Sequence, residues 1–464
     1  MTMTEDFRTT LRTAVTGRPD TPLVLIGNFE VEDEWARTER GLPRLTVSGS
    51  GRAVANRMDE LALLLAAEGD RVVLKDAPDP DHLAQLAGLG LTLPHILVPR
   101  AQDPQRTVSA DALADNALIT TLGTLGDAGF RLAPHGVSAV EEELSARSGL
   151  PLATPTAATC KAVNSKIYSR LLATDLALRQ PPGRTCVTLD ELADALAWAA
   201  RLIDAGGRVV VKDAFGVSGK GITVVDTGRR LDQVRRMVHS RAARSGRTDV
   251  ALVVEEWVAK RADLNYHFVV GRDGTVSFDF VKEALTDNGV HQGHRFPARL
   301  SATQVGDLAA AAETIGGRLA RDGYFGVVGV DAMVDPDDGL YPIVEINARN
   351  NMSTYQTVVQ QRLVPPGAEV LARHYPLRTP EPLPFATLRR LLDGVLLTPG
   401  GRTGLVVTAF ATVNAAPPDG RLYALLVADT AARLTALDAE VARRLTALDA
   451  EVARRLTTVT EETR

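Results

Sequence analysis

The sequence predicts a mixed α/β and α+β protein: a parallel α/β layer first, a strand-rich α+β region behind it, and an amphipathic helix at the C-terminus. Three observations carry that expectation. Short apolar runs alternate with helical stripes over the first 135 residues, strand-like runs crowd residues 208–347, and an eleven-residue segment occurs twice in succession near the end. A chain of 464 residues has room for two or three domains of roughly 150 residues each.

Composition narrows the classes of function. With 45% hydrophobic and 23% charged residues the chain has ordinary globular usage, which excludes collagen-like and disordered architectures. Lys and Arg number 52 against 57 Asp and Glu, a net charge of -5, so no global basic field attracts nucleic acid. The N-terminus lacks an apolar signal core, and no run approaches the roughly 20 apolar residues of a membrane span. Only Cys160 and Cys186 occur, without CxxC spacing, which fits small apolar packing in the reducing cytoplasm.

The α/β layer begins with PLVLIGN (22–28), an apolar run closed by Gly and Asn, and RVVLKD (71–76) repeats the pattern. Between them Val54, Met58, Leu61 and Leu65 form a helical stripe across 51–69. HILVPR (95–100) and FRLAPHG (130–136) continue the alternation around a helix near 110–127. No GxGxxG follows the first strand, so a nicotinamide site is not expected. The acids of FEVEDEW (29–35), among them Glu30, Glu32 and Glu34, lie where such a sheet opens its ligand crevice, and a cationic substrate group would dock there. Ser138 and Glu141 have capping-box spacing, Gly149 and Pro151 end that helix, and the domain boundary falls near 150–156.

A helix near 157–176 and another at 189–204, opened by Thr188 and Glu191, precede the strands 208–213, 222–225, 251–258, 266–271, 277–282, 325–334 and 341–347. At the far end RLTALDAEVAR fills 433–443 and again 444–454. Its apolar positions, from Leu434 and Leu437 to Val452 and Leu456, keep one helical stripe in line, which calls for packing against the body or a twin subunit in a homodimer.

The chemistry-bearing segments lie among the strands. VVVKDAFGVSGKGITVV (209–225) runs a strand into Lys212, a loop with Gly216, Ser218, Gly219, Lys220 and Gly221, and a second strand. Its glycines let backbone amides approach phosphate, but GxxxxGK[ST] spacing is missing, so it is a strand-loop-strand flap and not a P-loop. GVDAMV (329–334), a turn at 335–339 and IVEINARN (343–350) form a hairpin that sets Asp331 against Glu345, with Asn347 and Arg349 at two-residue intervals on one face. Two carboxylates and a carboxamide are the hard oxygen donors Mg²⁺ takes alongside substrate phosphates, and Arg349 can hold a phosphoryl oxygen. LTDNGVHQGHRFP (285–297) reads as a polar mobile loop in which His291, His294 and Arg295 are candidates for substrate contact, as is Lys282 before it.

These residues, in this order, resemble the ATP-grasp superfamily. By that resemblance Lys166 and Lys212 hold nucleotide phosphates, Lys212 and Arg349 act in catalysis, Glu255 and Glu256 with the Trp257 and Val258 backbone take adenine, and Asp263 takes the ribose. Asp331, Glu345 and Asn347 coordinate Mg²⁺. The resemblance implies a pre-ATP-grasp α/β domain at 1–155, an ATP-grasp catalytic region at 156–380, its C-terminal part at 381–428, and the repeat helix at 429–464. It further implies an ATP- and Mg²⁺-dependent ligase that activates a small-molecule carboxylate and joins it to a peptide or amino-acid amine, the alternatives being an ATP-grasp enzyme that activates another acid and a nucleotide-binding regulatory protein without turnover. The chain is most similar to the pheganomycin-type peptide ligases, which join an unusual amino acid to a peptide in antibiotic biosynthesis.

Overall fold

A computed structural model describes residues 6–39, 41–42, 49–216, 221–287 and 290–462. The N-terminal sheet holds β1 (Leu23–Ile26), β2 (Arg71–Val73), β3 (His95–Leu97) and β4 (Arg131–Pro134), all parallel, in the order β3-β2-β1-β4. Every residue of β1 is buried, as a parallel strand covered on both faces requires. Its helices are shorter than the sequence suggests. The stripe over 51–69 is buried in part, but the backbone divides into a helix Gly49–Asn56, a 3-10 turn Arg57–Leu61 and one helical turn Ala62–Leu65. The expected helix at 110–127 is two helices, because Asp115 turns out of the first and accepts the Ala117 and Leu118 N–H groups of the second. Ser165 divides 157–176 in the same way, capping Ile167.

A second sheet, order β5-β8-β6-β7, comprises β5 (Gly183–Thr188), β6 (Val209–Asp213), β7 (Ile222–Val225) and β8 (Asp249–Glu256), all antiparallel. The helices Leu189–Asp204 and Gly228–Ser245 close its back with Leu192, Leu196, Val234 and Val238.

The third sheet is antiparallel and eight-stranded: β9 (Ala262–Val270), β10 (Val276–Asp287), β11 (Val290–Phe296), β12 (Gly326–Val334), β13 (Leu340–Asn347), β14 (Glu369–Arg378), β15 (Gly404–Ala409) and β16 (Asp419–Ala428), in the order β13-β12-β9-β10-β11-β14-β16-β15. Alternation along its strands separates two functions. Tyr266, Phe268 and Val270 of β9 join Val328, Val330 and Ala332 of β12 against Leu308, Ile315 and Leu319 of the helix Ala302–Arg321. Asn265, His267 and Asp331, the residues between, point to the opposite face. That face carries the candidate site.

Residues 285–287 and 290–296 are not a loop: they lie in β10 and β11, with Ala284 opposite His294 and Glu283 opposite Arg295, while 288–289 lie outside the described residues. A register shift between Leu285 and Thr286 leaves Gln292 unpaired and sets His291 on the same face as His294, so β11 has no regular two-residue alternation for the sequence to show.

The helix Ala431–Glu462 carries the repeat, and it docks on this sheet within the chain. Leu434, Leu437, Val441 and Leu445 are buried against Leu371, Tyr375 and Leu426. Asp438 accepts hydrogen bonds from Arg373 Nη1 (2.8 Å) and the Tyr375 hydroxyl (2.6 Å). Among the described residues no helix is long and apolar enough to cross a membrane.

Candidate nucleotide and metal site

The site lies where the second and third sheets meet the helix Lys166–Asp175. The helix is fixed at both sheets: the Lys166 N–H donates to the Ala214 carbonyl (2.9 Å), and the Ser169 hydroxyl accepts from the Ile346 N–H (3.0 Å). Lys166 is therefore held between β6 and β13. Its ammonium, buried, donates to Glu345 Oε1 (2.7 Å) and to the Gly216 carbonyl (3.0 Å).

Asp331 and Glu345 are direct cross-strand partners on β12 and β13, and Gly329 opposite Asn347 is the pair two residues on. Asn265 of β9, opposite Asp331 on its other side, donates to Asp331 Oδ1 (2.8 Å), and Asn347 Nδ2 donates to Oδ2 (3.3 Å). Burial, and then the charge of Glu345, push the Asp331 carboxyl up to about 6. Two acids forced together across a strand pair, with a carboxamide oxygen beside them, fit a divalent cation. Among the described residues no third His, Cys, Asp or Glu joins them, and a donor set of this size is what a Mg²⁺ site that also takes phosphate oxygens and water would need.

Arg349 extends the arrangement into the N-terminal layer. Its Nη2 donates to Asn347 Oδ1 (3.0 Å), its Nε donates to Glu32 Oε1 (2.7 Å), and the guanidinium forms a buried ion pair with Glu32. Phe29 packs at a tilt against His135 and Tyr355, with centroids at 4.2 and 5.4 Å, and together with the Glu32–Arg349 contact it brings the segment after β1 against this arrangement. Of the acids at 29–35 it is Glu32 that reaches the site. Glu30 faces Asp59 and Lys75 within the N-terminal layer, where burial pushes its carboxyl up to about 8 and neither oxygen has a hydrogen-bond partner.

On the second sheet Lys212 forms a buried ion pair with Glu255, and Arg170 reaches the same carboxylate (3.4 Å). The Glu255 side chain thus holds two cations. The Trp257 N–H does not face outward: it donates to the Arg208 carbonyl (2.8 Å), while Glu256 N–H donates to Pro182. The Val258 N–H meets no protein acceptor among the described residues and remains the backbone donor of this hinge. Asp263 accepts from Lys260 (2.6 Å) and Thr286 (2.6 Å). Gly221 has φ +80°, and a Cβ there would stand 2.8 Å from Asp213 Oδ2, so this position takes glycine without strain and other residues only with it. Ser218, Gly219 and Lys220 lie outside the described residues.

Lys282 and His294 share the site's face, whereas Arg295 does not. Opposite Glu283 and Leu371, Arg295 points to the face covered by the C-terminal helix, which removes it as a substrate contact. The His291 ring meets that of His294 at a tilt, with centroids 4.4 Å apart, and burial lowers it to about 4. Sequence reasoning missed Arg170 and Asn265. Arg170 lies one helical turn after Lys166, and Asn265 is a lone amide between apolar strand neighbours, so both signals were present.

A model of the pre-ATP-grasp domain matches residues 58–150, and a model of the ATP-grasp domain matches residues 184–363. The butirosin acyl-carrier protein–L-glutamate ligase of Niallia circulans is 25% identical over 338 residues, 71% of this chain and 73% of that protein. The formate-dependent phosphoribosylglycinamide formyltransferase of Synechococcus sp. (strain WH7803) is 29% identical over 199 residues, 42% of this chain and 47% of that enzyme. Among solved structures, N5-carboxyaminoimidazole ribonucleotide synthetase from Thermus thermophilus matches with a TM-score of 0.53 at 15% identity, covering 91% of this chain and 98% of that one. The biotin carboxylase domain of Hydrogenobacter thermophilus 2-oxoglutarate carboxylase, in complex with MgADP, ADP and bicarbonate, matches with a TM-score of 0.54 at 12% identity, covering 88% and 86%. At these identities the structural likeness shows the fold alone.

Proposed function

Because the chain belongs to the ATP-grasp superfamily, with a pre-ATP-grasp domain ahead of an ATP-grasp domain and ATP with Mg²⁺ as cofactors, we propose that it is a ligase that activates a carboxylate as an acyl phosphate and joins it to the amine of an amino acid or peptide. The observation that carries this reading is the cross-strand Asp331–Glu345 pair, whose Glu345 carboxylate accepts from the Lys166 ammonium at the edge of a crevice that Lys166 and Lys212 line. The relative named for joining L-glutamate to an acyl-carrier protein supports an amino acid as the acid. That name also favours a second reading, in which a carrier protein is the acceptor.

In the proposed reaction a carboxylate oxygen of the acid attacks the γ-phosphorus of ATP, the bond to the β,γ-bridging oxygen breaks, and ADP leaves. The amine then attacks the acyl carbon, loses a proton, and phosphate departs with the C–O electron pair, leaving the amide. Lys166 and Lys212 offset the phosphate charge, exchanging Glu345 and Glu255 for phosphate oxygens as ligand enters. Asp331, Glu345 and Asn347 would hold Mg²⁺, which when bound would supply Lewis-acid stabilisation of the transferring phosphoryl group. Arg349, held by Glu32 and Asn347, is oriented to steady the acyl phosphate and the oxyanion formed on amine attack. Val258 N–H and the Glu256 carbonyl take the adenine edge, and Asp263 the ribose.

Hydroxylamine trapping tests the reading. Purified protein with MgATP, hydroxylamine and pooled amino acids should form a hydroxamate together with ADP. ADP release without hydroxamate for every acid offered, at trapping concentrations that capture a control acyl phosphate, would sink carboxylate activation. Supplying amines or carrier protein in place of hydroxylamine then separates the two acceptors.

A further inference from the structure

The carboxylate pair is the end of a longer row. Glu345 on β13 stands opposite Asp331 on β12, Asp331 opposite Asn265 on β9, and Asn265 opposite Lys282 on β10. Residues paired across strands share a face, so Lys282 looks onto the same surface as the metal carboxylates, two strand spacings or about 10 Å from Asp331. Its surroundings are unlike those of Lys166 and Lys212. Lys282 is 0% exposed, and no carboxylate pairs with it among the described residues. Its ammonium has one long hydrogen bond, 3.5 Å to Gln356 Oε1, and sits 4.5 Å from the Phe280 ring centroid. Beside it the buried His294 has Nδ1 without a hydrogen-bond partner. Burial alone lowers the Lys282 ammonium to about 7, and Lys282 in turn helps lower His294. A buried cation kept without a counter-charge costs free energy unless an anion pairs with it.

We propose that Lys282, with His294 beside it, binds a second anionic group of the acid substrate, the one that is not activated, so that the enzyme selects acids carrying two carboxylates. The proposal rests on the ligase reading and deepens it. The acid's reacting carboxylate lies at the metal end of the row and its second carboxylate at the Lys282 end, replacing the long contact to Gln356 by a charge-assisted hydrogen bond. L-Glutamate, the acid named for the Niallia circulans relative, has the two carboxylates that this arrangement takes.

The test is thermal unfolding of the full chain with MgADP, titrated with L-glutamate or with L-glutamine, which has one carboxylate fewer. Wild type should be stabilised by glutamate well beyond glutamine. Lys282→Met should lose that excess, with apparent glutamate affinity weaker by about tenfold or more, and Lys282→Arg should recover part of it. MgADP stabilises every variant that has folded, which serves as the folding control. Equal shifts from glutamate and glutamine in wild type, or an excess that survives in Lys282→Met, would overturn the pocket. Hydroxamate formation reports separately on the ligase reading: an excess for glutamate without hydroxamate keeps the pocket and removes the ligase, while hydroxamate from acids with one carboxylate and no glutamate excess does the reverse.

Discussion

The two ends of the site bury cations in opposite ways. At the nucleotide end Lys166 faces Glu345, while Lys212 and Arg170 share Glu255. At the other end neither Lys282 nor His294 forms an ion pair with a carboxylate among the described residues, and His294 Nδ1 has no hydrogen-bond partner. Paired cations hold a crevice in shape before ligand arrives, and incoming phosphates need only exchange one set of oxygens for another. An unpaired cation shapes nothing and lowers stability until its anion comes. The first arrangement is preorganisation, and the second is selectivity obtained at the expense of the empty protein.

Four variants would break or sharpen that comparison. The largest effect belongs to Glu345→Gln, which keeps an oxygen for Lys166 but removes a metal charge. ADP formation should fall about 10³-fold or more, with the unfolding temperature close to wild type. A variant of wild-type activity would remove Glu345 from the metal site. Glu255→Gln leaves Lys212 and Arg170 buried without their carboxylate and should destabilise by about 3–5 kcal/mol in denaturant unfolding. A neutral result there would show that the pair is not structural.

Glu30 is the acidic counterpart of Lys282, buried and unpartnered in the N-terminal layer. Its carboxyl is raised to about 8 in the fold from an ordinary value of 4.5, so the folded state binds more protons than the unfolded chain between those pH values. Stability therefore falls as pH rises through that window. Glu30→Gln should be more stable than wild type by on the order of 3 kcal/mol at pH 8.5, and the gain should fade toward pH 5. A gain independent of pH would place the cause elsewhere.

Lys282→Met should also stabilise the ligand-free protein, by about 1–3 kcal/mol, the reverse of Glu255→Gln. The sign with pH is opposite to that of Glu30. Lys282 is lowered to about 7, so the unfolded chain binds more protons between about 7 and the ordinary lysine value, and wild type gains stability as pH rises there. The advantage of the methionine variant should be greatest at and below pH 7 and shrink toward pH 10. Destabilisation by Lys282→Met would show that the ammonium already has a partner.

The β12–β13 hairpin was legible because its turn, its two-residue alternation and its carboxylates lie close together in sequence, so the Asp331–Glu345 register followed from sequence alone. Lys212 and Glu255 were each singled out, but their union was not, since it depends on β6 pairing with β8 across forty intervening residues. The β10–β11 hairpin escaped because Gly293 and the polar residues of β11 look like a loop, whereas strand pairing on both sides holds them extended. Helix ends at Asp115 and Ser165 were carried by single capping side chains inside otherwise continuous apolar periodicity. Periodicity finds the buried stripe, while caps decide where the backbone stops.

The duplicated segment has a consequence for length. Eleven residues turn an α-helix through about three full revolutions, with only about 20° left over. Inserting or excising one copy therefore returns Leu434, Leu437 and Val441, or their equivalents, to the same azimuth against Leu371 and Leu426. The helix is in effect a telescoping strut: whole copies can be gained or lost after the first without turning the seam on which the first copy sits.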